Sequence, residues 1–254
     1  MSDKITVALQ TCDADLFNSI KSKYIDTNVE LLSVEQELVC VEIWKDFGAV
    51  IFVESNQDCF NKQINLWVGH PHLRYIKRNS DKASAVCSEI DVLLSNIELE
   101  KKFLIEYPDI NELLKYPICK SHIEQTYLLC DNGSHRIRKR ECGSSVAYFE
   151  TLKLRINNSK CIEHEGLISQ AEFNALMQHK NPEKSTIIKD RYTLLYDGQY
   201  FELDIYPFWQ DKAIIELELR DENQKYTLPP EIKIIKDVSD DYTYKNNYLA
   251  GLKL

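Results

Sequence analysis

Glycine is scarce in this chain: 7 of 254 residues, with only Gly48 and Gly69 before residue 100. Long apolar runs are missing too. The longest, such as GAVIFV at 48–53, fall far short of the about 20 residues that cross a bilayer, so no membrane span is expected. The N-terminus, MSDKITVALQ, has neither the apolar stretch nor the cleavage site of a secretion signal. Positive charge is in deficit: Lys and Arg number 31 against 40 Asp and Glu, a net charge of -9. That argues against nonspecific nucleic-acid binding as the main role, which needs a basic footprint, and leaves room for a local basic site. The eight cysteines (12, 40, 59, 87, 119, 130, 142, 161) form no CxxC and no metal-like spacing. Without a secretion signal they read as reduced thiols in a cytoplasmic protein. There is no repeat of solenoid length and no low-complexity tract.

What is present falls into two halves with different grammar. Residues 1–95 alternate short apolar strands (KITVALQ, VELLSV, AVIFVES, HLRYIK) with helical stretches (LFNSIKSKY capped by Asp13 or Asp15, VEQELVCVEIWKD, DKASAVCSEIDVLLSNI). Such alternation predicts a small α/β domain. Residues 96–254 are dominated by eight strand-like runs, near 97–105, 124–129, 135–141, 146–155, 161–168, 186–196, 200–206 and 213–219. Two helices interrupt them, DINELLK and SQAEFNALMQ, each opening with a capping-box pattern, Asp109 with Glu112 and Ser169 with Glu172. DNGS (131–134) and YDGQY (196–200) carry hairpin-turn signals. Pro229-Pro230 precede EIKIIKDV, an extra short strand. The fold class is α+β, an antiparallel β domain behind a small α/β domain.

The strands share an unusual pattern. IELEKKFLI (97–105) puts Ile97, Leu99, Phe103 and Ile105 on one face and Glu98, Glu100 and Lys102 on the other. The same period places Arg136, Arg138 and Arg140 together, then Lys153 with Arg155, Glu163 with Glu165, Lys189 with Arg191, Glu202 with Asp204, and Glu216 with Glu218. A half-solvated sheet also puts its charges outward. Here, however, like charges sit at i, i+2, where they repel. Grouped carboxylates are costly unless a cation shares them, and grouped guanidiniums suit phosphate oxygens. A closed barrel of about eight strands holds one small ligand. Lined this way, it would receive a polyanion with its divalent metal.

From about residue 97 to 250 the chain resembles the CYTH domain, or triphosphate tunnel metalloenzyme, family. The matches are ExExK (Glu98, Glu100, Lys102 nearby), IEQTYL, RIRKR, the Lys of ETLK, IEHE, KDRY, YFELDIYPF, IIELEL and the terminal VSDDYTYKNNYLA. The resemblance implies an eight-stranded antiparallel β-barrel tunnel, Mg²⁺ or Mn²⁺ held by carboxylates, and a triphosphate-containing small molecule gripped by basic residues. It implies Glu98, Glu100, Glu216 and Glu218 as metal ligands. Glu202 and Asp204 would hold a second metal that activates water. Arg136, Arg138, Lys153, Lys189 and Arg191 would bind the phosphate chain, with Arg140 and Arg155 following the same face. Lys102 would touch a phosphate or orient the reacting water, and Glu163 and Glu165 would serve the metal or balance the basic wall.

The first half resembles the P-loop nucleotide-kinase-like domain that precedes some bacterial CYTH domains, through FGAVIFVES and WVGHPHLRYI. It departs from them after the first strand, where LQTCDADLFNSIK stands in place of GxxxxGK[ST]. No Gly or Lys-Ser/Thr pair is available for phosphate, and Asp13 and Asp15 would repel it. The half reads as a shortened remnant without a P-loop. The leading function is metal-dependent hydrolysis of a triphosphate. A class IV-type adenylyl cyclase and a non-catalytic polyphosphate, nucleotide or phosphoinositide-binding module remain as alternatives. His70, His72 and Trp209 read as loop structure, and His135 and His164 as surface groups.

Overall fold

The computed structural model describes residues 5–11, 13–33, 49–53, 73–76, 81–95, 97–156, 160–219 and 222–252. The expected helix at 34–46 and the His70–His72 pair lie outside them.

Two separate sheets form. In the first, β1 (Ile5–Gln10), β2 (Val29–Ser33), β3 (Ala49–Val53) and β4 (Leu73–Ile76) pair in parallel in the order β2-β1-β3-β4. Helices α1 (Ala14–Lys23) and α2 (Lys82–Ser95) accompany them. Val7, Leu9, Ile20, Leu31, Ile51, Val86 and Ile90 make their shared core. Parallel strands need such crossovers, and burial on both faces, with Val7, Ala8 and Leu9 all at 0% exposure, explains the unbroken apolar run of β1. The Tyr24 hydroxyl ties the end of α1 to α2, donating to Asp91 at 2.8 Å with the Cys87 carbonyl oxygen 3.1 Å away. Asp13 is the N-cap of α1, accepting from Leu16 N at 2.9 Å. Its carboxylate therefore occupies the helix N-terminus where a P-loop would put phosphate.

The second sheet holds β5 (Ile97–Glu106), β6 (Ile118–Tyr127), β7 (Ser134–Cys142), β8 (Ser145–Arg155), β9 (Lys160–Ile168), β10 (Ile187–Tyr196), β11 (Gln199–Ile205), β12 (Lys212–Glu218) and β13 (Ile234–Asp237). Every pairing is antiparallel, in the order β12-β11-β10-β6-β7-β8-β9-β5-β13. β5 also pairs with β12, from Glu100↔Glu218 to Glu106↔Lys212. Its other edge meets β9 over Ile97–Leu99 only, and β13 takes that edge at Phe103–Ile105. The expected eight-stranded barrel is thus corrected to a nine-stranded sheet that is not closed into a barrel, β5 meeting β9 over three residues only. EIKIIKDV supplies the ninth strand.

Two further corrections concern local chemistry. β6 begins at Ile118, six residues before the predicted 124, because Lys120, Ser121 and His122 disguise it. Both its faces are polar there, so the apolar alternation that marks a strand fails. Helix α3 (Ile110–Leu113) is capped by Asp109 through Asn111 N, without the Glu112 return bond of a capping box. Helix α4 (Gln170–Leu176) has the full box: Glu172 N donates to Ser169 Oγ at 3.2 Å, and Ser169 N to Glu172 at 2.7 Å. The β10–β11 hairpin turns through Asp197 (φ 47°) and Gly198 (φ 69°), the left-handed pair expected of YDGQY.

The main core lies on one face of this sheet. Leu99, Phe103, Ile105, Phe201, Leu203, Ala213, Ile215 and Leu217 pack there with Leu113 of α3 and Ile232. Lys102, however, is only 4% exposed on the opposite face of β5. Both faces of that strand are buried, one in hydrocarbon and one among charges.

Candidate active site

The charged face is built by period two on every strand. β5 presents Glu100 and Lys102, beside β12 with Glu216. β11 adds Glu202 and Asp204, and β10 adds Lys189 and Arg191. β6 presents Ser121 and Gln125, then come Arg136, Arg138 and Arg140 of β7, Thr151 and Lys153 of β8, and Glu163 and Glu165 of β9. Lys102, Arg136, Arg138, Arg140, Lys189, Arg191, Asp204 and Glu216 are all buried. The sequence reading named each of these.

Two ion-pair clusters result. In the first, Lys102 Nζ lies 2.7 Å from Glu216 Oε1 and 3.4 Å from Glu100 Oε1. Arg191 grips Asp204 with two bonds, Nε–Oδ1 at 2.6 Å and Nη2–Oδ2 at 2.7 Å, reaches Glu216 at 3.0 Å and pairs with Glu202. Lys189 pairs with the same Asp204, which is 0% exposed. Burial alone would raise the carboxyls of Asp204 and Glu216. The surrounding cations (Arg191 and Lys189, joined by Lys102 at Glu216) hold both below the usual carboxylate range. Burial, aided by the Arg191 charge, pushes Lys189 down to about 8 despite Asp204. Lys102 moves the other way: burial opposes its charge, and Glu100 and Glu216 more than compensate.

The second cluster is looser. Arg136 Nη2 stands 3.4 Å from Glu163 and 3.6 Å from Glu165, and Lys153 pairs with Glu163. Glu165 accepts from Thr151 Oγ1 at 2.6 Å. Arg138 Nη1 reaches Glu165 only at 3.6 Å, beyond hydrogen-bond range, and its Nε is buried without a hydrogen-bond partner. Burial lowers its guanidinium pKa, with Glu165 opposing. Gln125, directly opposite Arg138 in the β6–β7 register, donates to the Tyr127 hydroxyl at 2.7 Å and leaves its own Oε1 unpartnered. Arg140 sits apart, donating to Ser121 Oγ at 2.9 Å and Thr193 Oγ1 at 3.4 Å.

Other predicted residues are placed less centrally. Glu218 is exposed and faces Glu100 in the β5–β12 register. Glu98 lies on β5 opposite Cys161, and its side chain, like that of Arg155, is outside the described residues. Sequence reasoning missed Lys245, which reaches Glu100 at 3.0 Å from beyond the sheet. It also missed the neutral Ser121, Gln125, Thr151 and Thr193. Their only sequence signal is the period they share with the charged residues. His135 bonds Glu150 at 2.7 Å on the opposite face, as expected, and Trp209 packs against Tyr206 and Phe208.

On five strands the charged face gives way to apolar residues: Leu104 after Lys102, Ile214 beyond Glu216, Tyr206 after Asp204, Ile187 beyond Lys189, Tyr127 after Gln125; on β7, β8 and β9 it continues, with Arg136 opposite Tyr127 and Lys153 paired across to Glu163 beyond it. The apolar residues pack with Val238 and Leu249 into a second apolar cluster.

Carboxylates are the right donors for Mg²⁺ or Mn²⁺, and Glu100, Glu216 and Glu218 share one face of two paired strands. Among the described residues no three metal-ligating side chains converge. Lys102 and Lys245 neutralise Glu100 instead.

No family model matches the chain, and no curated protein matches it. Solved structures do. Two of NE1496 are 29% identical, cover 61% of this chain and 98% and 95% of their own, and give TM-scores of 0.40 and 0.39; one is described as an inorganic triphosphatase. PH1819 from Pyrococcus horikoshii OT3 is 17% identical over 50% of this chain and 80% of its own, with a TM-score of 0.39. HpAC1 from Hippeastrum, whose description reports a dominant triphosphatase activity, is 13% identical over 48% of this chain and 80% of its own, with a TM-score of 0.37. Scores this low decide neither fold nor chemistry for this chain.

Proposed function

We propose that the charged face binds a triphosphate and hydrolyses it with a divalent metal. The observation that carries the reading is the burial of six cations, Lys102, Arg136, Arg138, Arg140, Lys189 and Arg191, on one face of one sheet. Desolvating a cation costs several kcal/mol unless a counter-charge repays it. Carboxylates repay it at Lys102, Lys189 and Arg191, while Arg138 has its carboxylate beyond hydrogen-bond reach. A phosphate chain offers the bidentate oxygens a guanidinium suits.

On this reading Arg136, Arg138, Arg140 and Lys153 seat the phosphate chain. Asp204 fixes Arg191 and Lys189 toward it, since both its oxygens are engaged by those cations. Lys102 exchanges Glu216 for a phosphate oxygen or orients the attacking water. Glu98, Glu100, Glu216 and Glu218 would hold Mg²⁺ or Mn²⁺, with Glu202 at the margin. Bound there, the metal would neutralise phosphate charge and activate water.

The test is phosphate release from tripolyphosphate, thiamine triphosphate and ATP with Mg²⁺, Mn²⁺ or EDTA, using the Glu98→Gln/Glu100→Gln variant as control. Metal-dependent release that the variant lacks is expected. Cyclic AMP from ATP would mean a cyclase. The engagement of Glu100 by Lys102 and Lys245 favours a second reading, a metal-free receptor for the same anion. Tight tripolyphosphate binding in EDTA, with no turnover under any condition, would establish that one.

A further inference from the structure

Eight scattered cysteines gave no pairing signal, yet the fold brings two of them together. Cys119 of β6 and Cys142 of β7 stand with their sulfurs 3.0 Å apart, both as free thiols and both half-exposed. Cys142 stands one residue, and Cys119 three, beyond the last registered pair of those strands, His122↔Glu141. Along β6 the charged face runs from Tyr127 at the apolar end through Gln125 and Ser121 to Cys119, so the pair lies at the opposite end. Arg140, whose guanidinium bonds Ser121 and Thr193, is its neighbour on that face.

We propose that Cys119 and Cys142 are a covalent modification site, a dithiol that closes to a reversible disulfide across β6 and β7. Two features favour this chemistry. The sulfurs already touch, so closure requires little backbone movement. The thiols are also unequal. The hydrogen bond from Cys119, helped by the Arg140 charge against the opposing effect of burial, pushes Cys142 down to about 6. The same contact, with burial, pushes Cys119 up. Cys142 is therefore the attacking thiolate at neutral pH and Cys119 the resolving thiol.

The oxidant is a hydroperoxide. The Cys142 thiolate attacks its outer oxygen and the O–O bond breaks, giving a sulfenic acid and hydroxide, which takes a proton to become water when the oxidant is hydrogen peroxide. The Cys119 sulfur then attacks the sulfenic sulfur. The S–S bond forms, and the displaced hydroxide leaves as water with the Cys119 proton. Two thiols are oxidised and one peroxide becomes two waters. The new bond ties β6 to β7 beside Arg140.

The experiment uses the full chain and hydrogen peroxide, followed by tryptic digestion without reductant and mass spectrometry. Cleavage at lysine and arginine puts Cys119 alone in 116–120 and Cys142 alone in 141–153. The expected product is those two peptides joined, two hydrogens lighter than their sum and released by dithiothreitol. It should be absent from Cys119→Ser and Cys142→Ser variants whose circular dichroism matches the parent. Cys130, the exposed cysteine of the described set, serves as the internal standard. If its peptide is already oxidised while 116–120 and 141–153 stay unlinked, or link to other cysteines, the proposal is overturned. Neither result depends on triphosphatase activity.

Discussion

Two buried charges on the same face are held in opposite ways. Asp204 is saturated: Arg191 takes both its oxygens and Lys189 shares one. Removing its charge takes the paired carboxylate from Lys189 and the bidentate grip from Arg191, which keeps Glu202 and Glu216, so Asp204→Asn is expected to cost about 3–5 kcal/mol, read as a fall in the urea midpoint. Among the described residues Arg138 has no ion partner closer than 3.6 Å. Arg138→Ala is expected to leave the urea midpoint within about 1 kcal/mol of the parent while weakening tripolyphosphate binding tenfold or more, the scale of one lost charge-assisted hydrogen bond. Calorimetric titration checks the second half; unchanged affinity would remove Arg138 from the site. These charged residues were legible in the sequence because charge at every second position stands out against apolar neighbours. Gln125 was not, since a neutral amide beside Thr126 and Tyr127 carries no such contrast. Lys245 was hidden by distance, 145 positions from the Glu100 it contacts.

Among the elements, the turns were read more securely than the strand ends. DNGS and YDGQY both make the hairpins their residues imply, because glycine takes a positive φ without strain and Asp, as at Asp197, tolerates it. At Gly133 the demand is steric as well. Its φ is +81°, and a Cβ there would meet the Lys153 carbonyl oxygen at 2.2 Å. Gly133→Ala should therefore destabilise by about 1–3 kcal/mol, measured by urea denaturation, because the β6–β7 turn cannot yield without displacing β8. Parental stability would show that the turn relaxes freely. The start of β6 escaped sequence reading for a physical reason. Strand patterns are recognised by contrast between an oily face and a wet one, and at Cys119–His122 the inner face is lined with polar groups as well.

For the molecule as a whole, the interior sets the response to acid. Asp204 and Glu216 have folded-state pKa values below those of the unfolded chain. Their contribution to stability is complete above the unfolded carboxylate range, near pH 4, and is lost as pH falls through the depressed folded values. Urea midpoints should hold from pH 7 to 5 and then drop steeply below about 4, and Asp204→Asn should flatten that drop. A drop of equal steepness in the variant would show that other carboxylates set the acid limit. The parallel four-stranded layer was legible as strand–helix alternation, and the start of α1 as its Asp13 cap. The ninth strand was visible only as a short run, because its partner, the edge of β5, is set by tertiary packing. The apolar cluster of Leu104, Tyr127, Ile187, Tyr206 and Ile214 begins two residues along the strand from Lys102, Gln125, Lys189, Asp204 and Glu216. Hydrocarbon on that side gives the charged ones no water to turn to, so each is held to the ion partner it has.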